Sequence, residues 1–211
     1  MSVRIKICGI NDPAALAAAA EAGADWIGFV FFPPSPRSIT PAQAAALAAP
    51  APPGLPRAGL FVDPTDDAVA ATLAAVRLDA LQVYGHDVPA ARLRARFGLP
   101  VWRAVGVASR SDLPTEAHEA DMLVIEAKPP EGATRPGGNA ASFDWSILAG
   151  WRPPAPWVLA GGLTPDNVAA AIAATGAPMV DVSSGVERQP GRKDPALIRA
   201  FVANARGAAG G

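Results

Sequence analysis

The sequence predicts a single-domain α/β protein folded as a (β/α)8 TIM barrel, and three observations lead there. Short β-rich runs alternate with alanine-rich helical runs from end to end, the pattern of a parallel sheet covered by helices. Eight such rounds can be counted, enough to close a barrel. The first strand, Val3 to Cys8, puts Val3, Ile5 and Ile7 on one face and Arg4, Lys6 and Cys8 on the other. A strand buried on both faces of an open doubly wound sheet would instead be apolar throughout.

The remaining strands are expected at Trp26 to Phe31, Arg57 to Val62, Ala80 to Tyr84, Val101 to Val105, Met122 to Glu126, Trp157 to Ala160 and Met179 to Ser183. Helix starts repeat one chemical signature, a capping side chain followed by proline at the first helical position: Asp12-Pro13, Thr40-Pro41, Thr164-Pro165 and Asp194-Pro195. In the last helix Leu197, Ile198, Phe201, Val202 and Ala205 recur at helical spacing, which gives it one face to bury. The proline-rich stretch from Pro50 to Pro56 has strand and helix rounds on both sides and reads as a loop at the bottom of the barrel. The stretch from Ala127 to Ser142 is the longest without a periodic pattern and leaves the top of strand 6, so it is expected to act as a lid. Residues 1–206 form the expected barrel, and 207–211 a frayed tail.

Composition narrows the function. With 211 residues, half of them hydrophobic, the chain can bury a large core; 18 basic against 19 acidic residues give a net charge of -1 and no bulk attraction for nucleic acid. No window holds the roughly 18 apolar residues of a membrane span, and the start Met1-Ser2-Val3-Arg4-Ile5-Lys6 is too charged for a signal peptide, which points to the cytoplasm. The single cysteine excludes an internal disulfide and fits a reducing compartment. No apolar stripe is evident beyond the ring of helices, so a monomer is expected.

Taking alternate residues on each strand gives a polar set at the C-terminal mouth of the barrel: Lys6, Cys8, Gln82, Arg103, Glu126, Asp181 and Ser183. A lone cysteine is often a small buried hydrophobe, and its place at a strand's upper end is what favours chemistry. Phosphate is expected on the loops after strands 7 and 8, where Gly161-Gly162-Leu163 and Ser183-Ser184-Gly185 let backbone N–H groups approach an anion; the same glycines also suit plain tight turns. His86 and His118 have no second ligand at a recognisable spacing, so both read as surface residues and no metal is expected. No Gly-x-Gly-x-x-Gly follows the first strand and no Walker loop is present, so neither a dinucleotide nor a nucleoside triphosphate is expected.

Six segments in order resemble the phosphoribosylanthranilate isomerase family over nearly the whole chain: Lys6-Ile7-Cys8-Gly9; Gly28-Phe29-Val30-Phe31 with Ser35-Pro36-Arg37-Ser38-Ile39; Leu81-Gln82-Val83-Tyr84-Gly85; Pro136-Gly137-Gly138-Asn139 leading to Phe143-Asp144-Trp145; Leu159-Ala160-Gly161-Gly162-Leu163; and Asp181-Val182-Ser183-Ser184-Gly185-Val186-Glu187. The resemblance implies an Amadori rearrangement of N-(5-phosphoribosyl)anthranilate in tryptophan biosynthesis. Cys8 would be the general base and Glu126 the general acid. Arg37 would meet the anthranilate carboxylate, Asp181 the sugar hydroxyls, and Gly161, Gly162, Ser183, Ser184 and Gly185 the phosphate. Lys6 and Gln82 would complete the substrate site.

Acid work needs the Glu126 carboxyl raised, as burial can do, and base work needs the Cys8 thiol lowered, for which Lys6 is the candidate cation. No cofactor is implied, because the electron sink is the substrate's own iminium. Two departures stand out: the family's acid is usually aspartate, and Tyr84 stands where histidine is usual. They keep open the alternative of a phosphosugar-binding barrel with impaired turnover. Other phosphosugar barrels share the phosphate loops, but epimerases would want metal-binding histidines and the histidine-pathway isomerases two carboxylates.

Overall fold

A computed structural model describes residues 2–85, 88–130, 132, 137–138 and 142–208. Eight parallel strands close a barrel in sequence order: β1 (Arg4–Cys8), β2 (Trp26–Val30), β3 (Arg57–Val62), β4 (Ala80–Tyr84), β5 (Val101–Val107), β6 (Met122–Ala127), β7 (Trp157–Leu159) and β8 (Met179–Val182). Closure is carried by β1 pairing with β2 on one side and β8 on the other, with Lys6 in register with both Trp26 and Asp181. Each expected strand is present, with ends shifted by at most two residues.

Register fixes which side chains fill the barrel, because strand parity is two. Ala58, Ala80, Trp102, Met122, Val124, Val158 and Met179 form an inner apolar cluster, with Trp26 and Trp102 edge to face at 4.6 Å between ring centroids. The other parity, including Ile5, Ile7, Phe29, Leu81, Leu123 and Val180, packs outward under the helices. The lower barrel is thus plugged by indoles and methioninyl side chains, and polar groups on the inner face are left to the upper half.

The helices are α1 (Pro13–Glu21), α2 (Pro41–Ala48), α3 (Asp66–Ala75), α4 (Ala90–Phe97), α5 (Val168–Thr175) and α6 (Pro195–Ala208). Asp12 caps α1 through the Ala15 amide, and Thr40 caps α2 in a full capping box with Gln43. Three expectations are corrected. Among the described residues the rounds after β5 and β6 carry only 3-10 turns, at 110–112 and 145–148, in segments interrupted by Pro114, Pro129 and Pro130. Thr164-Pro165 lies ahead of α5, whose cap is Asn167; the Asn167 carboxamide oxygen accepts from the Thr164 amide at 2.8 Å and holds this turn in place. Helix α6 runs through Gly207 and Ala208, which were expected in the tail; 209–211 lie outside the described residues. A hairpin of β9 (Glu187–Gln189) and β10 (Arg192–Lys193), which the strand pattern did not foretell, follows β8.

Candidate functional site

At the C-terminal mouth a cavity is lined by Cys8, Arg37, Tyr84, Glu126, Asp181, Ser183 and Ser184, with Gly161 and Gly162 on one wall and Val30, Phe32, Leu60 and Val62 on another. A concave, largely apolar site with a few convergent polar groups is the form that small-molecule sites take. Cys8, Tyr84 and Glu126 end alternate inward positions of β1, β4 and β6, so strand parity alone delivers them to one space. Gly28, the neighbour of Cys8 on β2, makes room for the thiol: a Cβ there would stand 2.9 Å from the sulfur.

Lys6 and Gln82 point inward but do not line the cavity; they lie one layer lower, two residues before Cys8 and Tyr84. Lys6 donates to Asp181 Oδ2 at 2.9 Å, and Gln82 Nε2 donates to the Tyr84 hydroxyl at 3.4 Å. Lys6 also acts on Cys8, so both side chains bear on the cavity through residues that line it. Asp181 Oδ1 is buried and, among the described residues, has no hydrogen-bond partner, an acceptor left over at the cavity wall. Arg103 is corrected from the inward set: its chain neighbours Trp102 and Ala104 take the inner face, and its guanidinium instead donates to the carbonyls of Gly85 and Val88. Gly185 does not line the cavity and backs onto the Leu163 carbonyl, where no Cβ would fit.

Electrostatics divide the two central groups. Burial pushes the Glu126 carboxyl up to about 8, and the Asp181 carboxylate adds to the rise, while the Tyr84 hydroxyl and Lys6 pull it down. Burial also raises the Cys8 thiol. Lys6 does lower it, as expected from the sequence, but with Asp181 opposing, burial wins and the net direction is upward. Tyr84 is pushed well above its ordinary value by burial and by Glu126, so its hydroxyl stays a donor.

Gly137 and Gly138, in the segment after β6, lie against this site. A Cβ on Gly137 would stand 2.8 Å from the Tyr84 hydroxyl and 2.9 Å from Glu126 Oε2, and one on Gly138 would stand 2.5 Å from Arg37 Nη1. Other parts of the expected lid, 131, 133–136 and 139–141, lie outside the described residues, as does His86; His118 is exposed. Among the described residues no three His, Cys, Asp or Glu side chains gather as a metal site would require.

Sequence reasoning gave no role to Lys193 or Glu187, although both side chains are buried beside the loop after β8. Lys193 Nζ donates to the Ser183 carbonyl at 2.9 Å, and Glu187 takes the Arg37 guanidinium on both oxygens at 2.6 and 2.8 Å. The signal that could have found them is Glu187-Arg188-Gln189-Pro190-Gly191-Arg192-Lys193, charged residues flanking a Pro-Gly turn.

Comparison with known proteins follows the same lines. The family model described as N-(5'phosphoribosyl)anthranilate (PRA) isomerase matches residues 5–204. An N-(5'-phosphoribosyl)anthranilate isomerase of Granulibacter bethesdensis is 54% identical over 211 residues, covering 99% of this chain and all of the relative. The crystal structure of phosphoribosyl anthranilate isomerase from Thermotoga maritima superposes with a TM-score of 0.83 at 36% identity, over 97% of this chain and 99% of that one. A solved phosphoribosyl anthranilate isomerase in complex with reduced 1-(o-carboxyphenylamino)-1-deoxyribulose 5-phosphate matches with a TM-score of 0.80 at 34% identity, again over 97% and 99% of the two chains.

Proposed function

From the premise that this chain belongs to the N-(5'-phosphoribosyl)anthranilate isomerase family, we propose that Cys8 is the general base and Glu126 the general acid of its reaction. That reaction is the Amadori rearrangement of N-(5-phosphoribosyl)anthranilate to 1-(2-carboxyphenylamino)-1-deoxyribulose 5-phosphate, a step of tryptophan biosynthesis. The observation that carries the assignment is a carboxyl raised to about 8 in the same cavity as the chain's one thiol.

Glu126, protonated at neutral pH, gives its proton to the ribose ring oxygen as the C1–O bond breaks, and the anthranilate nitrogen's lone pair closes an iminium at C1. Cys8 as thiolate then takes the proton from C2. The C–H electron pair forms the C1–C2 double bond and neutralises the iminium nitrogen. The resulting enol becomes the ketone as a proton leaves its oxygen and another reaches C1. Because the thiol sits above its ordinary value, the thiolate is the minority form, and the base works from that fraction.

Arg37 holds the anthranilate carboxylate, and the loops at 161–162 and 183–185 hold the phosphate. Asp181 accepts from the sugar hydroxyls through its spare oxygen. Lys6 acts through Asp181 and Cys8, and Gln82 through Tyr84. A cytoplasmic monomer is the accompanying reading, supported by a catalytic thiol that must stay reduced and by helix faces buried against the barrel; sedimentation at micromolar concentration tests the second part.

The assignment is tested by turnover of substrate generated in the cuvette and followed by its fluorescence. Cys8→Ser lowers kcat by orders of magnitude while the reduced product analogue still binds. Equal turnover in that variant rejects Cys8 as the base, and loss of analogue binding with no change in fold would assign it to binding.

A further inference from the structure

The hairpin after β8 carries two buried charged side chains, Glu187 and Lys193, that the proton transfers do not use. Four N–H donors converge on the Glu187 carboxylate: Arg37 Nε at 2.6 Å and Lys193 Nζ at 2.9 Å on Oε1, Arg37 Nη2 at 2.8 Å and the Gly191 backbone N–H at 3.1 Å on Oε2. That fills the acceptor capacity of a carboxylate. Lys193 Nζ also donates to the Ser183 carbonyl at 2.9 Å and hydroxyl at 3.2 Å, which commits all three of its N–H groups.

The side chains of Arg37, Glu187 and Lys193 are 4%, 4% and 0% exposed. Two cations and one anion leave this buried triad one positive charge in excess, a costly state that an arriving anion relieves. The turn of the hairpin is seated as well. Gly191 lies so close to the Pro36 carbonyl that no Cβ fits, and its own carbonyl accepts from Asn11 Nδ2 at 2.8 Å. Arg37 spends Nε and one Nη2 hydrogen on Glu187 and one Nη1 hydrogen on the Gly138 carbonyl at 3.3 Å; among the described residues this leaves one N–H on each Nη for a carboxylate.

We propose that Glu187 and Lys193 are positioning residues that couple the substrate's two anionic ends, Glu187 aiming the Arg37 fork and Lys193 tying that pair to Ser183 of the phosphate loop. This rests on the reading above in which Arg37 receives the anthranilate carboxylate and the glycine and serine loops the phosphate. Neither side chain touches the reacting atoms. They set the distance between two binding groups, so their loss weakens binding far more than it slows the proton transfers.

The test compares inhibition by the reduced product analogue with inhibition by its counterpart lacking the ring carboxylate, in the unsubstituted protein and in Arg37→Ala and Glu187→Gln. In Arg37→Ala the advantage of the carboxylated analogue collapses. In Glu187→Gln that advantage falls by about tenfold or more, as expected for a lost charge-assisted hydrogen bond, while the counterpart's affinity holds within about threefold. A general loss of packing would weaken both analogues alike.

If Arg37→Ala loses the advantage and Glu187→Gln keeps it, the inference is overturned and the Arg37 reading stands. If Arg37→Ala keeps the advantage, the reading of Arg37 itself fails and the inference goes with it. Lys193→Met, which leaves the Arg37 to Glu187 pair in place, covers the case in which Glu187→Gln does not fold. Competition by inorganic phosphate is expected to weaken about tenfold in that variant, and an unchanged constant overturns the proposal.

Discussion

Lys6 Nζ lies 2.9 Å from Asp181 Oδ2 in a pair whose side chains are 1% and 8% exposed, and the same ammonium is the largest influence lowering the Cys8 thiol. One cation therefore serves two anions, Asp181 now and the Cys8 thiolate when it forms. Lys6→Met should strand Asp181 as a buried unpaired carboxylate and cost about 3–5 kcal/mol of stability. It should also drive the thiol further upward. Denaturant unfolding reads the first effect and thiolate absorbance against pH the second; an unmoved thiol titration would mean that Lys6 serves only Asp181.

Glu126 makes stability pH-dependent with a definite sign. Its folded value, about 8, is above the ordinary 4.5, so the protonated form is favoured by folding. The stabilisation is full below about 4.5 and is lost as pH rises through about 8. Glu126→Gln removes this dependence. The variant should gain on the wild type between pH 4 and pH 9 by an amount on the order of 3–5 kcal/mol, measured by paired unfolding curves. A constant difference across that range would place the Glu126 carboxyl near its ordinary value and remove the basis for its acid role. In kcat/KM, because Cys8 must be ionised and its value lies above that of Glu126, activity should climb with pH to a bend near pH 8 set by Glu126 and fall only above the higher value of the thiol.

The contact of Gly137 with Glu126 is equally specific. Gly137 has no left-handed backbone, yet a Cβ there meets both the Tyr84 hydroxyl and Glu126 Oε2 at under 3.0 Å. Gly137→Ala should lower kcat/KM by roughly a hundredfold through displacement of the acid while leaving the melting temperature nearly unchanged. Shortening the acid makes room, so adding Glu126→Asp to Gly137→Ala should recover part of the loss. If the double variant is worse than either single one, the contact is not what limits turnover.

The barrel and its mouth were legible because parity is a local property: Val3 to Cys8 alternates visibly, and each polar residue ending an inward strand position could be assigned without tertiary knowledge. Arg103 shows the limit. Polarity suggested that it faces inward, but Trp102 takes the inner face of β5 to fill the floor, and a register set by neighbouring strands decides between them. The Lys6 influence on Cys8 had the expected sign, but its size against burial depends on how deeply the closed barrel sequesters the thiol. The Arg37, Glu187 and Lys193 triad joins residues 150 positions apart, a contact that no periodicity encodes.

Trp102 separates the floor from the chemistry. It is 3% exposed, meets Trp26 edge to face, and stands in register with Gln82 and Met122 below the polar layer. Trp102→Ala should leave a cavity in the lower barrel and cost about 3–5 kcal/mol. The groups proposed to bind substrate are held by other contacts: Asp181 by Lys6, Arg37 by Glu187, and Ser183 by Lys193. KM should therefore stay within about threefold of the wild type at temperatures where the variant is folded, since uniform binding is untouched. A large rise in KM would show that the indole floor supports the binding groups through Gln82 and Tyr84, and that the two layers act as one.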